Sequence, residues 1–359
     1  MSETQPVTCD GRIVCASLGK EYSVRDVIDA AIFRDELVSI WKEFLCHINA
    51  EERAKELDLE LDDDAVDEMA ELFRYEHDLI TAEETERWLE HRGVTLEDFT
   101  DYIARKYWKG AIEDLSPEDV DLVSASPNQR ELLTIELIFS DEVDRLTKQL
   151  MWRLAAVAAS GEIEEKAIST ERENFLDRIK PLKLKAWLNS LGRDEDWLTQ
   201  ISAMEAAYRR VCEAVLNPQT RRKQLALLRM GLTLFEAEAI QLESLDAAKE
   251  ALLCIRQDGM SMEEVANEAR YPYRRITFRH EDVPPDLQQK FWSVGAGDLL
   301  EPIALGEGFD LFRITQKSEP DLDDTIVQAR IDERLLEQHF SHLVHDHVES
   351  RLPEGVSAQ

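Results

Sequence analysis

The chain has 359 residues, 43% of them hydrophobic and 33% charged, which sets a prior of two or three domains with formed cores and a heavily solvated surface. Its 42 basic residues against 75 acidic ones leave a net charge of −33, which repels phosphate backbones and anionic lipid and argues against nucleic acid and membrane surfaces as partners. The same charge suits solubility, or attraction of a basic polypeptide.

No apolar run approaches the roughly 18 residues a membrane helix needs. The first residues, Met1-Ser-Glu-Thr-Gln-Pro6, lack a charged-then-apolar leader. Five cysteines are scattered without CxxC spacing. Cys46, Cys212 and Cys254 lie inside helical patterns and read as buried thiols, and Cys9 and Cys15 are expected to stay reduced. These features predict a cytoplasmic protein.

Arg12 to Leu18 reads as a short strand ended by Gly19. Ser23 then caps a helix, and Val27, Ile28, Ala31, Trp41, Phe44 and Ile48 fall at helical spacing. The acidic tract Glu51 to Glu71 contains Asp58-Leu-Glu-Leu-Asp-Asp-Asp64, which lacks the central glycine and closing glutamate of a calcium loop. Asp62 to Asp64 are instead expected to start a helix at its positive dipole end. Gly93 reads as the residue that ends one helix, and Thr95 with Asp98 as the capping box of the next. Trp88, Leu89, Phe99 and Ile103 close this helical hairpin over one apolar seam.

Ser116-Pro117 and Ser124 to Asn128 break the helical period and mark a domain boundary. Beyond them Leu132 to Phe139 is a short apolar run, and Val143 to Ala159 a helix. A second corner, Trp187-Leu188, Gly192, Trp197 and Ile201, parallels Trp88-Leu89, Gly93, Phe99 and Ile103. It reads either as an internal duplication or as two helix–glycine–helix corners that look alike because caps are generic. Asn217-Pro218 marks the next boundary. The stretch from Gly231 to Gln316 then orders strand, helix, short helix, loop, helix, strand, strand. Asp321 to Leu352 reads as one long amphipathic helix whose broad apolar stripe must be buried. His339, His342, His345 and His347 crowd that helix without cysteines and read as an exposed face, so neither a metal nor a cofactor is expected.

The stretch from Gly231 to Gln316 resembles the parvulin family of peptidyl-prolyl isomerases. The resemblance is carried by Met262-Glu-Glu-Val-Ala266, by Phe291-Trp292 to Pro302, and by Gly308-Phe-Asp-Leu311. The corner at Trp88-Leu89 and Gly93 resembles the helical N-terminal region of SurA-like chaperones. The implied fold is α+β, mainly α. It has a SurA-like helical domain over 1–122, a middle helical region over 123–228, and a parvulin-like βαααββ domain over 229–318. A C-terminal helix over 319–359 is expected to pack back on the helical domain.

The family implies an apolar cup for proline and a dry polar cluster with one histidine on the first strand and another on the last. Carried over by position, the first histidine falls at Glu238 or Ala239 and the second at Asp310, with Glu307 replacing a preceding serine. The family's Gly-Gly loop becomes Asn267 to Phe278, without Gly-Gly. Val283, Leu287 and Trp292 are the expected cup, and Phe278 and Phe309 complete the expected substrate-binding set. Carboxyl and methyl groups cannot replace two imidazoles in such a cluster. The resemblance thus implies a polypeptide-binding chaperone with a degenerate isomerase site, its client an unfolded or precursor polypeptide, basic or proline-containing, in peptide maturation or secretion. Two alternatives stand beside it: an active isomerase with a rearranged site from Asp310, Glu238 and His280, and a scaffold for a peptide maturation enzyme. No motif of NTPases, serine hydrolases or zincins occurs.

Overall fold

The computed structural model describes residues 9–112, 122, 125–179, 184–306 and 308–352. Ser116, Pro117 and Ser124 of the expected boundary, and Glu307, lie outside the described residues. By internal packing the chain divides into a first unit, residues 1–212 and 339–359, and a second, residues 213–338. The division falls elsewhere than the expected boundary near residue 122, because the helices on both sides of that point fill one core.

The first unit opens with a hairpin of β1 (Ile13–Ser17) and β2 (Lys20–Ser23), turned by Leu18 and Gly19 at positive φ. Helices follow as α1 (Val24–Arg34), α2 (Val38–Glu56), α3 (Asp63–Glu76), α4 (Ala82–Arg92) and α5 (Leu96–Ala111). Then come α6 (Pro127–Phe139), α7 (Glu142–Ala159), α8 (Glu165–Ile179), α9 (Leu184–Ser190) and α10 (Glu195–Val215). Short-range chemistry sets many of the ends. Ser23 and Thr95 close capping boxes with Asp26 and Asp98, Asp62 caps α3, and Gly93 ends α4 at φ 69°. The apolar run up to Phe139 proves to be the greater part of α6, started by Ser126 and Pro127. Phe44, Phe139, Leu146, Phe175 and Leu198 meet in the shared core.

Ion pairs accompany that core: Arg153 donates from Nε to Glu205 at 2.7 Å, and Arg92 from Nη2 to Asp144 at 3.1 Å. The five cysteines form no disulfide. Cys15 is buried, and burial pushes its thiol up to about 12 and that of Cys9 up to about 11. Cys46, Cys212 and Cys254, expected as buried thiols, are half-buried.

The second unit begins with α11 (Pro218–Leu228), capped by Asn217. It continues as β3 (Leu234–Leu242), α12 (Leu245–Gln257), α13 (Met262–Ala269), β4 (Tyr273–Arg279), α14 (Pro285–Ser293), β5 (Ile303–Leu305) and β6 (Gly308–Ser318). The sheet order is β4-β3-β6-β5, with every neighbouring pair antiparallel. The order is therefore βααβαββ rather than βαααββ. The segment expected as a loop is β4, which pairs with β3 from Ile240↔Tyr273 to Leu234↔Arg279. One sheet face packs Phe235, Ala237, Ala239, Phe312 and Ile314 against Leu287 and Phe291 of α14. The other packs Ile240, Leu242 and Leu311 against α12 and α13.

The last helix, α15 (Thr325–His347), ends before Leu352. Val348–Ser350 instead form β7, antiparallel to β1 with Cys15 opposite Ser350. Backbone pairing ends the helix where the side-chain period would have continued it: the Arg351 N–H donates to the Val14 carbonyl at 2.9 Å. From His339 onward this segment belongs to the first unit, where Phe340 stacks on Trp152 and Tyr208.

Candidate functional site

Successive strand residues point to opposite faces, so pairing register assigns each expected site residue to a side of the sheet. Ala239 and Asp310 lie on the α14 face, level with Phe312 and Gln241 respectively in the β3–β6 register. Glu238 and Phe309 lie on the other face. There Phe309 packs toward the α12–α13 core, and Glu238 accepts a hydrogen bond from the Tyr273 hydroxyl at 2.8 Å. The sheet itself separates Glu238 from Asp310, which rules out a catalytic pair made from them.

Asp310 is 2% exposed and is bonded by Arg274 of β4. These strands flank β3, so two strand spacings of about 4.8 Å each separate them. Arg274 must therefore cross β3, and the residue beside it there is Ala239. A methyl group leaves that path open, whereas an imidazole would stand in it. Burial pushes the Asp310 carboxyl up, and the Arg274 guanidinium opposes the rise.

Arg274→Ala is expected to cost the second unit about 1–3 kcal/mol near neutral pH, where it leaves a buried charge unpaired. A carboxyl whose folded pKa exceeds its unfolded value binds its proton more tightly in the folded chain, so its penalty falls as pH falls. The deficit relative to wild type should therefore shrink on mild acidification. Urea denaturation at neutral and mildly acid pH measures it, and a deficit that widens in acid contradicts the assignment.

His280, the third residue of the expected rearranged site, is buried. Its Nε2 lies 3.0 Å from the Gln288 carbonyl, an acceptor only, so Nε2 carries the hydrogen. The ring lies against Phe235 and Trp292. His280 pairs with Thr233 and Asp310 with Gln241, eight residues further along β3, or roughly 26 Å. The structure does not bring them together.

The expected cup is closed. Val283 and Leu287 are 6% and 7% exposed, packed with Phe235, Phe291 and Ile314, with Phe278 half-buried beside them. Trp292, by contrast, is 41% exposed. It lines a cleft of about 510 Å³ together with Arg229, Met230, Thr233, Lys317 and Glu319. Lys317 donates to the Phe291 and Trp292 carbonyls, both at 3.1 Å, and so sits at the negative end of α14. Its ammonium lies 4.8 Å from the centre of the Phe235 ring, and burial pushes its pKa down. Met230 is 54% exposed at the rim. Sequence reasoning missed Met230 and Lys317 because neither continues an apolar period or a family motif.

No sequence profile of a known protein family matches the chain, and no curated protein does. Solved structures similar to it include the peptidylprolyl isomerase PrsA from Bacillus cereus, 12% identical with a TM-score of 0.35, covering 64% of this chain and 91% of that one. The foldase PrsA from Streptococcus pneumoniae is 16% identical with a TM-score of 0.25, over 63% and 90% of the two chains. A structure described with the SurA-like chaperones PEB4 and Cj1289 of Campylobacter jejuni is 9% identical with a TM-score of 0.20, over 60% and 89%.

Proposed function

We propose that this chain is a polypeptide-binding chaperone whose parvulin-like sheet serves binding and not prolyl isomerisation. The Arg274–Asp310 ion pair carries the reading. Rotation of a peptide bond faces a barrier of about 18–20 kcal/mol, and lowering it needs a dry polar cluster free to follow the twisting amide. Here one expected imidazole position is Glu238 or Ala239, the other is Asp310 already held by Arg274, and the cup is filled by Val283 and Leu287. Binding asks for less. Trp292 and Met230 offer exposed apolar surface beside a cleft with cationic and hydroxyl groups. A client in peptide maturation or secretion, and residence in a reducing cytoplasm, belong to the same proposal; free Cys9 and Cys15 accord with the latter.

Two measurements test it. In a protease-coupled prolyl-peptide assay the chain should leave isomerisation within about twofold of its uncatalysed time of roughly tens to hundreds of seconds. In an aggregation assay with a reduced, unfolded client it should suppress aggregation, and Trp292→Ala with Met230→Ser should weaken client binding about tenfold, or ~1.4 kcal/mol. Prolyl turnover that Asp310→Ala abolishes would establish an active isomerase instead.

A further inference from the structure

β4 is an edge strand, and its register reveals which of its backbone groups are open. The Gln241 N–H donates to the Pro272 carbonyl at 3.1 Å, and the His280 N–H to the Thr233 carbonyl at 3.0 Å. Bonded and non-bonded pairs alternate between those two points. Arg274, Ile276 and Phe278 therefore bond to β3, and the N–H and C=O groups of Tyr273, Arg275 and Thr277 point away from the sheet. Among the described residues no strand pairs with that edge.

The side chains beside this edge are unlike the rest of the chain. Residues 270–279 contain four arginines and no acidic residue, in a protein of net charge −33. Arg274 is turned inward to Asp310 and Arg279 to Asp324. Arg275 keeps 75% of its side chain exposed, its Nε donating to the Tyr273 hydroxyl at 3.1 Å and its Nη2 3.9 Å from Glu238, and Arg270 is exposed at the end of α13. On the α14 face Ile276 and Phe278 are half-buried and carry the apolar surface out to the edge.

We propose that β4 is a docking strand for an extended acidic polypeptide segment, added antiparallel as a fifth strand. The residue opposite Arg275 would be Asp or Glu, and those opposite Ile276 and Phe278 apolar. In the segment's own direction the pattern is apolar, any, apolar, acidic. Charge complementarity chooses this occupant over a second copy of the chain, since two β4 strands paired antiparallel set arginine near arginine. Charged edges also serve to deter pairing, but Arg279 is buried against Asp324 and Arg274, though half exposed, is engaged by Asp310. The inference rests on the polypeptide-binding reading and adds a second surface to it, one that prefers an acidic segment over the basic client expected from net charge.

The probe is a fluorescein-labelled peptide, Ser-Val-Thr-Val-Glu-Ser, titrated with the full chain and followed by fluorescence anisotropy. Saturable binding is expected. Thr277→Pro removes an outward N–H without touching the bonds to β3, and should weaken binding about tenfold or more. Arg275→Glu should weaken the probe about tenfold while favouring a version with lysine in place of glutamate. N-methylation of the probe's threonine and glutamate, whose N–H groups would face β4, should abolish binding, and N-methylation of its valines should be tolerated. That comparison needs no protein variant and decides the case if Thr277→Pro unfolds the chain. Absence of probe binding, or equal binding of the two N-methylated probes, overturns the proposal. So does self-association that Thr277→Pro removes, which would make a second copy the occupant. Trp292→Ala with Met230→Ser should leave the probe's affinity unchanged. Probe binding without client binding would reject the chaperone reading and keep the docking strand, and the converse would reject the strand alone.

Discussion

Glu205→Ala is expected to destabilise the first unit by about 3–5 kcal/mol, the range for breaking a buried ion pair from one side. Glu205 sits on α10 at 8% exposure, 2.7 Å from Arg153 Nε and 3.8 Å from Arg34 Nη1. Both guanidiniums are themselves buried, and burial already pushes the Arg34 pKa down. Without Glu205 the carboxylate they share among the described residues is Glu36, at 2.8 Å from Arg34 and 4.0 Å from Arg153. The loss therefore comes from two uncompensated cations more than from one missing bond. Glu205→Leu combined with Arg153→Met should recover much of it, because an apolar pair of similar volume needs no partner. Six of the seven tryptophans lie in the first unit, so urea unfolding followed by fluorescence in a Trp292→Phe background reports that unit alone. A loss below about 1 kcal/mol, the value of an exposed pair, would mean that water reaches the cluster.

Phe235→Ala should destabilise the second unit by about 3–5 kcal/mol, as large-to-small changes of buried aromatics do. Phe235 is fully buried in β3, stacked on Phe278 at 5.5 Å between ring centres and edge-on to Phe291 at 6.5 Å. The same ring lies under the Lys317 ammonium that holds the end of α14, so the cavity would open beneath the floor of the Trp292 cleft. Client binding should weaken with stability, and Trp292, the one tryptophan of this unit, reports both. Phe235→Leu keeps most of the volume and should cost under about 1.5 kcal/mol. Client affinity that survives Phe235→Ala unchanged would place the binding surface away from this cleft.

The strand β4 and the faces of the sheet explain where sequence reading stopped. Ile276 and Phe278 alternate as a strand should, but Pro272 and the adjacent Arg274-Arg275 interrupt the pattern, and the family template supplied a loop there. Its partner residues Leu234 to Ile240 precede it by more than thirty positions, and no local rule announces that pairing. Glu238 and Asp310 looked like one site because spacing alone says nothing of which face each takes. Val283 and Leu287 looked like an open cup because the apolarity that would hold a proline ring equally closes them against Phe235 and Phe291.

Chemistry confined to a few adjacent residues was legible before any fold was known. Ser23, Asp62, Gly93, Thr95 and Asp98 set helix ends through bonds that span three or four residues. That no histidine stands at Glu238, Ala239 or Asp310 was plain from residue identity. Tertiary structure alone decided that Arg274 crosses Ala239 to neutralise Asp310, that β7 ends α15, and that β4 stands at the edge of its sheet with no further strand beside it among the described residues. The physical reason is range: the Arg274–Asp310 bond joins residues 36 positions apart, and Ser17 meets the His347 carbonyl across 330. Such contacts form only when packing brings distant segments into register, and a single sequence carries no local trace of that register.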